Sequence, residues 1–313
     1  MARAFTFPGQ GSQSVGMGKD LAETYQAARE LFEEIEDALQ QKLTKLMWQG
    51  PPEELQLTEN AQPALMAVSL AIMRVLEKEA GLNLASKVKW VAGHSLGEYS
   101  ALAAAKSMSV PDTARLLRLR GQSMQKAVPA GAGAMAALLG ADMETALAAA
   151  AEGAKSGVCQ VANDNAPGQI VISGSTAAVE AAIAAAKTMG VKRGMLLPVS
   201  APFHCSLMQP AADVMAGALG STRMIDPAVG LIANVTAEPV DDANEIRGLL
   251  VSQVTGLVRW RETIEYMAAH GIDTIIELGT GKVLSGLAKR INPDLALHSV
   301  ATPQELDAFV KTL

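Results

Sequence analysis

Apolar positions along the chain change their spacing several times, and each change marks an element. "ARAFTFPGQG" reads as a short strand that ends in a Pro-Gly turn. Apolar residues then recur at helical intervals and predict a helix over 19–46. "PPEELQLTENAQPALMAVSLAIMRVLEKEAGL" opens with turn residues and predicts a long helix closed by Gly81. "KVKWVAG" has the continuous apolar run of a buried strand, and "LGEYSALAAAKSM" predicts the helix after it. Strand–turn–helix alternation of this kind predicts an α/β fold with a mainly parallel sheet.

Residues 127–197 have a different texture. "AGAMAALLG", "GVCQVAND", "GQIVISG" and "VKRGMLLPV" predict strands, and "METALAAAAEG" and "STAAVEAAIAAAKTMG" predict helices. Their order, βαββαβ, is that of a ferredoxin-like unit. The earlier pattern resumes after Pro198, with strands at "VGLIANVT" and "IDTIIELG" and helices at "WRETIEYMAAHG" and "KVLSGLAKRI". The expected organisation is a large α/β domain made of 1–126 and 198–313, with a small ferredoxin-like domain of 127–197 inserted into it. A cleft between the two is the natural place for a ligand.

Composition narrows the function. The 313 residues are 49% hydrophobic and 19% charged, which is a globular rather than a disordered balance. A formal net charge of −6 argues against a nucleic-acid-binding surface. No apolar run approaches the roughly 18–20 residues of a membrane span, and "MARAFTFPGQ" meets Pro8 and Gly9 before a signal core develops. The two cysteines, Cys159 and Cys205, supply neither a disulfide framework nor metal-ligand spacing. A cytoplasmic protein without membrane partners is expected.

The chemistry is concentrated in "GHSLG", where Ser95 stands between Gly93 and Gly97 at the passage from strand to helix. Gly-x-Ser-x-Gly in that context is the pattern of a nucleophile elbow, the alternative being a serine that caps the helix. A serine hydroxyl needs a base. Of four histidines, His94 adjoins Ser95, His270 ends a helix and His298 lies in a strand pattern. His204, in the loop "PVSAPFHCSLM", is the best candidate. Asp142, Glu144, Glu152, Asp164 and Glu180 lie between Ser95 and His204, and none stands out as a third member. A dyad is expected, with a carbonyl oxygen holding the second ring nitrogen. "PGQGSQ" near the start does not complete a phosphate loop, because Gly18-Lys19 is followed by Asp20.

Taken in order, "FTFPGQGSQSVGMG", "GHSLGEYSA", "LRLRGQSMQKA", "NDNAPGQIVISG", "SAPFHCSLM" and "ELGTGKVLSGL" span nearly the whole chain. The chain resembles the malonyl-CoA:acyl carrier protein transacylases. The resemblance implies a hydrolase-like large domain and transfer of malonyl from malonyl-CoA through a malonyl-Ser95 ester to the phosphopantetheine thiol of acyl carrier protein. It implies His204 as base, the backbone carbonyl of Gln253 as its orienter, and the N–H groups of Leu96 and Gln10 as oxyanion donors. No cofactor is expected beyond the CoA thioester itself, and the pathway implied is fatty acid synthesis.

Malonyl carries a carboxylate, so a cation must face it. On a helical wheel, "DTARLLRLRGQSMQKAV" places Arg120 inside the apolar arc of Leu116, Leu117, Met124 and Val128, while Arg115 and Arg118 fall outside. A cation on a core face must be paired, and a structural ion pair is the alternative to substrate. The resemblance assigns Arg120 to the substrate carboxylate, which its planar fork suits. Phe203 is similar to the residue of malonyl-selective members and would limit room beside the malonyl Cα. Asn165 matches a position lining the cleft. Thr280, and the pair Gly256-Leu257, depart from the prolines common in the family, the latter loosening the turn after Gln253.

Two other functions compete: a serine hydrolase, which would release malonate to water, and a silent scaffold that binds carrier protein. An acidic carrier would need a local basic patch, either Lys187, Lys192 and Arg193 or Lys282, Lys289 and Arg290. No long exposed apolar seam is evident, and a monomer is expected.

Overall fold

The computed structural model describes residues 2–313. Its ten strands are β1 (Arg3–Phe7), β2 (Trp90–Gly93), β3 (Gly133–Leu139), β4 (Cys159–Ala166), β5 (Gln169–Ser175), β6 (Arg193–Leu196), β7 (Gly230–Ile232), β8 (Pro239–Val240), β9 (Thr274–Leu278) and β10 (Ala296–Val300). They form two sheets. The larger has the order β10-β9-β1-β2-β7-β8, parallel except for β8 at its edge. Its central strands are short and almost wholly buried, as parallel strands covered on both faces must be. Helix Thr58–Lys78, buried along most of its length, is part of that cover.

β1 and β2 end side by side, with Phe7 opposite Gly93. The His94 N–H continues the ladder to the Phe7 carbonyl at 3.0 Å. The loop after β1, which carries Gln10, and the turn after β2, which carries Ser95, therefore leave the carboxyl edge of the sheet as neighbours. That edge is where open α/β sheets gather their ligands.

The smaller sheet, β4-β5-β3-β6, is antiparallel throughout. With helices Met143–Gly153 and Thr176–Thr188 it follows the strand–helix–strand–strand–helix–strand order that the hydrophobic pattern predicts. Alternation along its strands sends side chains to two different cores. On β3, Ala136 and Leu138 pack with the two helices, whereas Met135 and Ala137 join the main core. On β5, Ile170 and Ile172 face the helices and Val171 faces the main core. The sheet thus lies between its own helices and the larger unit.

One edge of this sheet is fastened to the larger unit by backbone and charge together. The Asp164 N–H donates to the Val258 carbonyl and the Val258 N–H to the Ala162 carbonyl, both at 2.9 Å. The Asp164 carboxylate is 1% exposed and receives the Arg261 guanidinium at 2.7 Å from Nη2 and 3.0 Å from Nε.

Two helices expected as continuous are broken. The span 19–46 contains Lys19–Thr24, Gln26–Leu39 and Leu43–Gln49. Tyr25 is extended at the first break, where its hydroxyl reaches Asp307 at 2.9 Å. Gln40 turns left-handed at the second, and the N–H groups of Gln40 and Gln41 close onto the carbonyls of Asp37 and Glu36. Farther on, Leu57 separates Pro52–Gln56 from Thr58–Lys78, and the new helix starts with the Thr58 hydroxyl 2.7 Å from Gln10 Oε1. At Tyr25 and Leu57 a long-range contact, and at Gln40 a local C-cap, competes with a helical periodicity that is itself correct on either side. No helix among the described residues is long and apolar enough to cross a membrane.

Removing one partner of a buried ion pair strands the other charge, at a cost of about 3–5 kcal/mol. Arg261→Met is expected to lower unfolding free energy by that order, read from the urea midpoint, whereas Arg261→Lys is expected to recover part of it.

Candidate active site

Ser95 sits at φ +53°, a left-handed backbone that non-glycine residues rarely adopt. The turn tolerates no side chain at either of its glycines. A Cβ on Gly93 would lie 1.9 Å from the Gly97 carbonyl carbon, and one on Gly97 would lie 2.2 Å from the Phe7 oxygen. The conformation is held by Asn234, whose Oδ1 accepts from the Ser95 N–H at 2.8 Å while its Nδ2 donates to the Gly93 carbonyl at 2.7 Å. The hydroxyl is thereby presented at the start of helix Gly97–Ala104. The N–H groups of Leu96 and Gln10 have no acceptor among the described residues. Both residues line the same cavity as Ser95.

His204 meets the serine from a different part of the chain. Its Nε2 is 2.8 Å from Ser95 Oγ, and its Nδ1 is 2.9 Å from the Gln253 carbonyl oxygen. A carbonyl only accepts, so Nδ1 carries the proton and Nε2 is left as the acceptor for the serine hydroxyl. Burial, with the Arg120 charge adding to it, pulls the His204 pKa down to about 3. The ring is therefore neutral, and able to take a proton, throughout the physiological range. His204 is itself left-handed, at φ +58°. Both members of the pair thus hold uncommon backbone that the surrounding hydrogen bonds must support. The Gly256-Leu257 departure leaves the Gln253 carbonyl within hydrogen-bond reach of the ring.

Arg120 lies on helix Val110–Lys126 and is 1% exposed. One Nη donates to Gln62 Oε1 at 2.9 Å. The other reaches Gln253 Oε1 at 2.8 Å and Ser95 Oγ at 3.1 Å. Its Nε has no acceptor among the described residues. Every recorded partner is neutral, so this buried guanidinium faces the cavity with donor capacity to spare and no carboxylate in hydrogen-bond contact. Burial lowers its pKa, but an arginine stays charged.

The cavity, of about 420 Å³, is walled by both units. Gln10, His94, Ser95, Leu96 and Arg120 come from the larger, and Met135, Asn163, Asn165 and Val171 from the smaller sheet. Phe203 and His204 close it from the returning chain. Of the residues singled out from the sequence, Ser95, His204, Arg120, Gln10, Leu96, Phe203 and Asn165 all line this space, and Gln253 lies directly behind it. Asn165 is engaged with the elbow, its Oδ1 2.8 Å from His94 Nε2, which ties the small sheet to the turn. His270 and His298 are elsewhere: His270 Nδ1 bonds the Tyr266 carbonyl, and His298 lies beside Phe309 with the two rings tilted.

Sequence reasoning missed Glu98, Asn234 and Gln62. Glu98 carried a faint signal as the one charged residue of a short helix of mostly small and apolar residues, whereas Gln62 had little, since its helix holds several other polar residues. Asn234 follows a short strand and had none. The basic candidates also separate. Lys282 pairs with Glu305, Lys289 bonds the Pro293 carbonyl, and Arg290 bonds Gln169 and Pro167. Lys187, Lys192 and Arg193 are exposed, and the last begins β6, whose chain continues into the cavity-lining Leu197, Pro198 and Val199.

A family model described as acyl transferase domain matches residues 4–290. The malonyl CoA-acyl carrier protein transacylase of Bacillus subtilis (strain 168) is 45% identical over 311 residues, covering 99% of this chain and 96% of its own. The solved acyl-carrier-protein-S-malonyltransferase of Bartonella henselae is 56% identical with a TM-score of 0.97, covering 100% of this chain and 99% of its own. A type II PKS acyl-carrier protein in complex with its malonyl-transacylase gives a TM-score of 0.96 at 41% identity, covering 100% of both chains. Likeness at this identity and coverage reaches well beyond a shared fold: the chain belongs to the acyl transferase domain family, among the malonyl CoA-acyl carrier protein transacylases, and is an acyltransferase.

Proposed function

We propose that this acyltransferase moves malonyl from malonyl-CoA to the phosphopantetheine thiol of acyl carrier protein by way of a malonyl-Ser95 ester. The observation that carries the reading is the meeting of three groups, with Ser95 Oγ 2.8 Å from a neutral His204 nitrogen and 3.1 Å from the Arg120 fork, whose partners are all neutral. Ser95 Oγ attacks the thioester carbonyl as its proton passes to His204 Nε2. The tetrahedral oxyanion is met by the N–H groups of Leu96 and Gln10, a preorganised pair of the kind that contributes about 3–4 kcal/mol per donor. Collapse expels the CoA thiolate, which recovers the proton from His204. In the second half the carrier's thiol gives its proton to His204 and its sulfur attacks the ester carbonyl. The Ser95 oxygen then leaves with that proton.

Arg120 selects the acyl group. Its free donors can meet a carboxylate in a site from which other anions of the protein are held back, and Phe203 limits the space beside the acyl chain. Asn165 lines the approach from the small sheet. We read the fold as a hydrolase-like domain of 1–126 and 198–313 that carries the elbow, with a ferredoxin-like domain of 127–197 as its roof, a reading that the parallel and antiparallel sheets support. We place the enzyme in the cytoplasm, as a monomer, in the supply of malonyl units for fatty acid synthesis. No cofactor takes part besides the phosphopantetheine that the carrier brings.

Incubation with malonyl-CoA alone, followed by intact-mass measurement, tests the serine. A malonyl adduct on the wild-type chain, absent from Ser95→Ala and discharged by holo-carrier, is expected. Release of malonate without transfer would make the protein a hydrolase, and a folded protein with neither adduct nor turnover would make it a scaffold.

Truncating one partner of a buried charged pair costs at least about 2 kcal/mol, or roughly 30-fold. Arg120→Met is therefore expected to lower kcat/KM for malonyl-CoA at least about 30-fold and to leave acetyl-CoA acylation much less affected. Equal losses on both thioesters would remove Arg120 from acyl selection.

Carrier docking is assigned to Lys187, Lys192 and Arg193, the exposed set that leads into the cavity wall. Lys192→Glu with Arg193→Glu is expected to raise KM for the carrier several-fold, with self-acylation by malonyl-CoA unchanged. An unchanged KM for the carrier would reject this patch.

A further inference from the structure

Helix Gly97–Ala104 follows the elbow and is buried at every position, yet its second residue is Glu98. The side chain is 1% exposed and takes no part in the transfer steps above. Its Oε2 accepts from Gln253 Nε2 at 2.7 Å and from the Asn234 N–H at 3.4 Å. Burial pushes its carboxyl up to about 7, against hydrogen bonds from Gln253 and Asn234 and the Arg120 charge.

Gln253 is the hub between this carboxyl and the cavity. The second hydrogen of its Nε2 goes to the Ser95 carbonyl at 2.8 Å, so both amide hydrogens are committed on the side away from Arg120. Its Oε1 is thereby turned to the Arg120 fork at 2.8 Å, and its main-chain oxygen holds His204. An amide in the opposite orientation would set N–H against guanidinium and oxygen against carboxyl. The carboxyl thus stands one amide away from Arg120. It is near enough to steady the arrangement through Gln253, and no ion pair between the two consumes the fork.

We propose that Glu98 is a positioning residue for acyl selection: by fixing the Gln253 side chain it holds the Arg120 fork over Ser95, and so sets the preference for acyl groups that end in a carboxylate. The inference rests on the assignment of Arg120 to the malonyl carboxylate. A direct Glu–Arg pair at the same place would satisfy both charges and close the site to an acidic substrate. A site with no buried acceptor behind Gln253 would leave the amide held only through the Ser95 carbonyl, and the fork less firmly oriented by it.

The test is the ratio of kcat/KM for malonyl-CoA to that for acetyl-CoA, measured on the full chain with holo-carrier as acceptor. Glu98→Leu removes the acceptor and is expected to lower the ratio at least about tenfold, through KM for malonyl-CoA. Glu98→Gln keeps an oxygen there and is expected to restore the ratio to within about threefold of wild type. Gln253→Met, which spares the main-chain carbonyl, should lower the ratio by itself, and adding Glu98→Leu to it should cost little more, because the two act in series. Glu98→Asp draws the oxygen back by one methylene and should lower the ratio in the same direction, which covers a Glu98→Leu chain that fails to fold. Equal losses on both thioesters, an unchanged ratio in Glu98→Asp, or additive losses in the double variant would overturn the inference. If Arg120→Met leaves the ratio intact, the assignment of Arg120 falls and this inference with it. If Arg120→Met abolishes the preference and the Glu98 variants do not, only the inference falls.

Discussion

A guanidinium buried without a carboxylate partner is the constraint from which the rest of this site follows. Desolvating an ion costs several kcal/mol unless something in the protein replaces the lost water. Here Arg120 is compensated by neutral oxygens, those of Gln62, Gln253 and Ser95, and its Nε remains without an acceptor among the described residues. That is a poor arrangement for stability alone, because an internal acid in contact would serve better. It suits a protein that must receive a carboxylate from outside, and it accounts for the polar side chains of Gln62, Glu98 and Gln253 buried behind the cavity.

The same support solves a second difficulty. Ser95 and His204 both occupy left-handed backbone, and each such residue costs on the order of 1–3 kcal/mol that neighbouring structure must supply. Asn234 bridges the elbow from Gly93 to Ser95, and the Gln253 carbonyl fixes the histidine ring. Gln253 therefore serves the base through its main chain and the arginine through its side chain. The proton acceptor and the anion receptor are set by one residue, so their geometry cannot drift independently. A carbonyl in place of the usual acidic third member has a further effect: it orients the imidazole and adds no negative charge to raise its pKa, and burial beside Arg120 keeps the ring neutral.

The two-sheet architecture explains how these residues come together. Parallel β1 and β2 deliver Gln10 and Ser95 to one edge, and the alternation along β3 and β5 lets a single small sheet serve two cores at once. Its edge strand is clasped by Val258 and by the Asp164–Arg261 pair, while Asn165 on the same strand reaches His94 at the elbow. The roof of the cavity is thus anchored through Ala162, Asp164 and Asn165 in the second half of β4.

Much of this was legible in the sequence, where chemistry and spacing are local. Gly-x-Ser-x-Gly needs only its own turn, because the two glycines are demanded by contacts within the motif and with the adjacent strand. The apolar arc around Arg120 and the βαββαβ order likewise follow from periodicities of a single helix or strand. Glu98, Asn234, Gln62 and the side chain of Gln253 were not legible. Apart from Thr58, four residues before Gln62, their side-chain partners lie from 19 to 158 residues away and are chosen by which elements pack, not by any neighbouring pattern. The breaks at Tyr25 and Leu57 have the same origin, since long-range hydrogen bonds outweighed a helical periodicity worth only tenths of a kcal/mol per residue, whereas the break at Gln40 is closed by a local cap. What the sequence determined by itself was which groups could react. Tertiary structure alone decided which of them would be left unpaired and facing one cavity, because burial and the allotment of hydrogen-bond partners are properties of the packed whole.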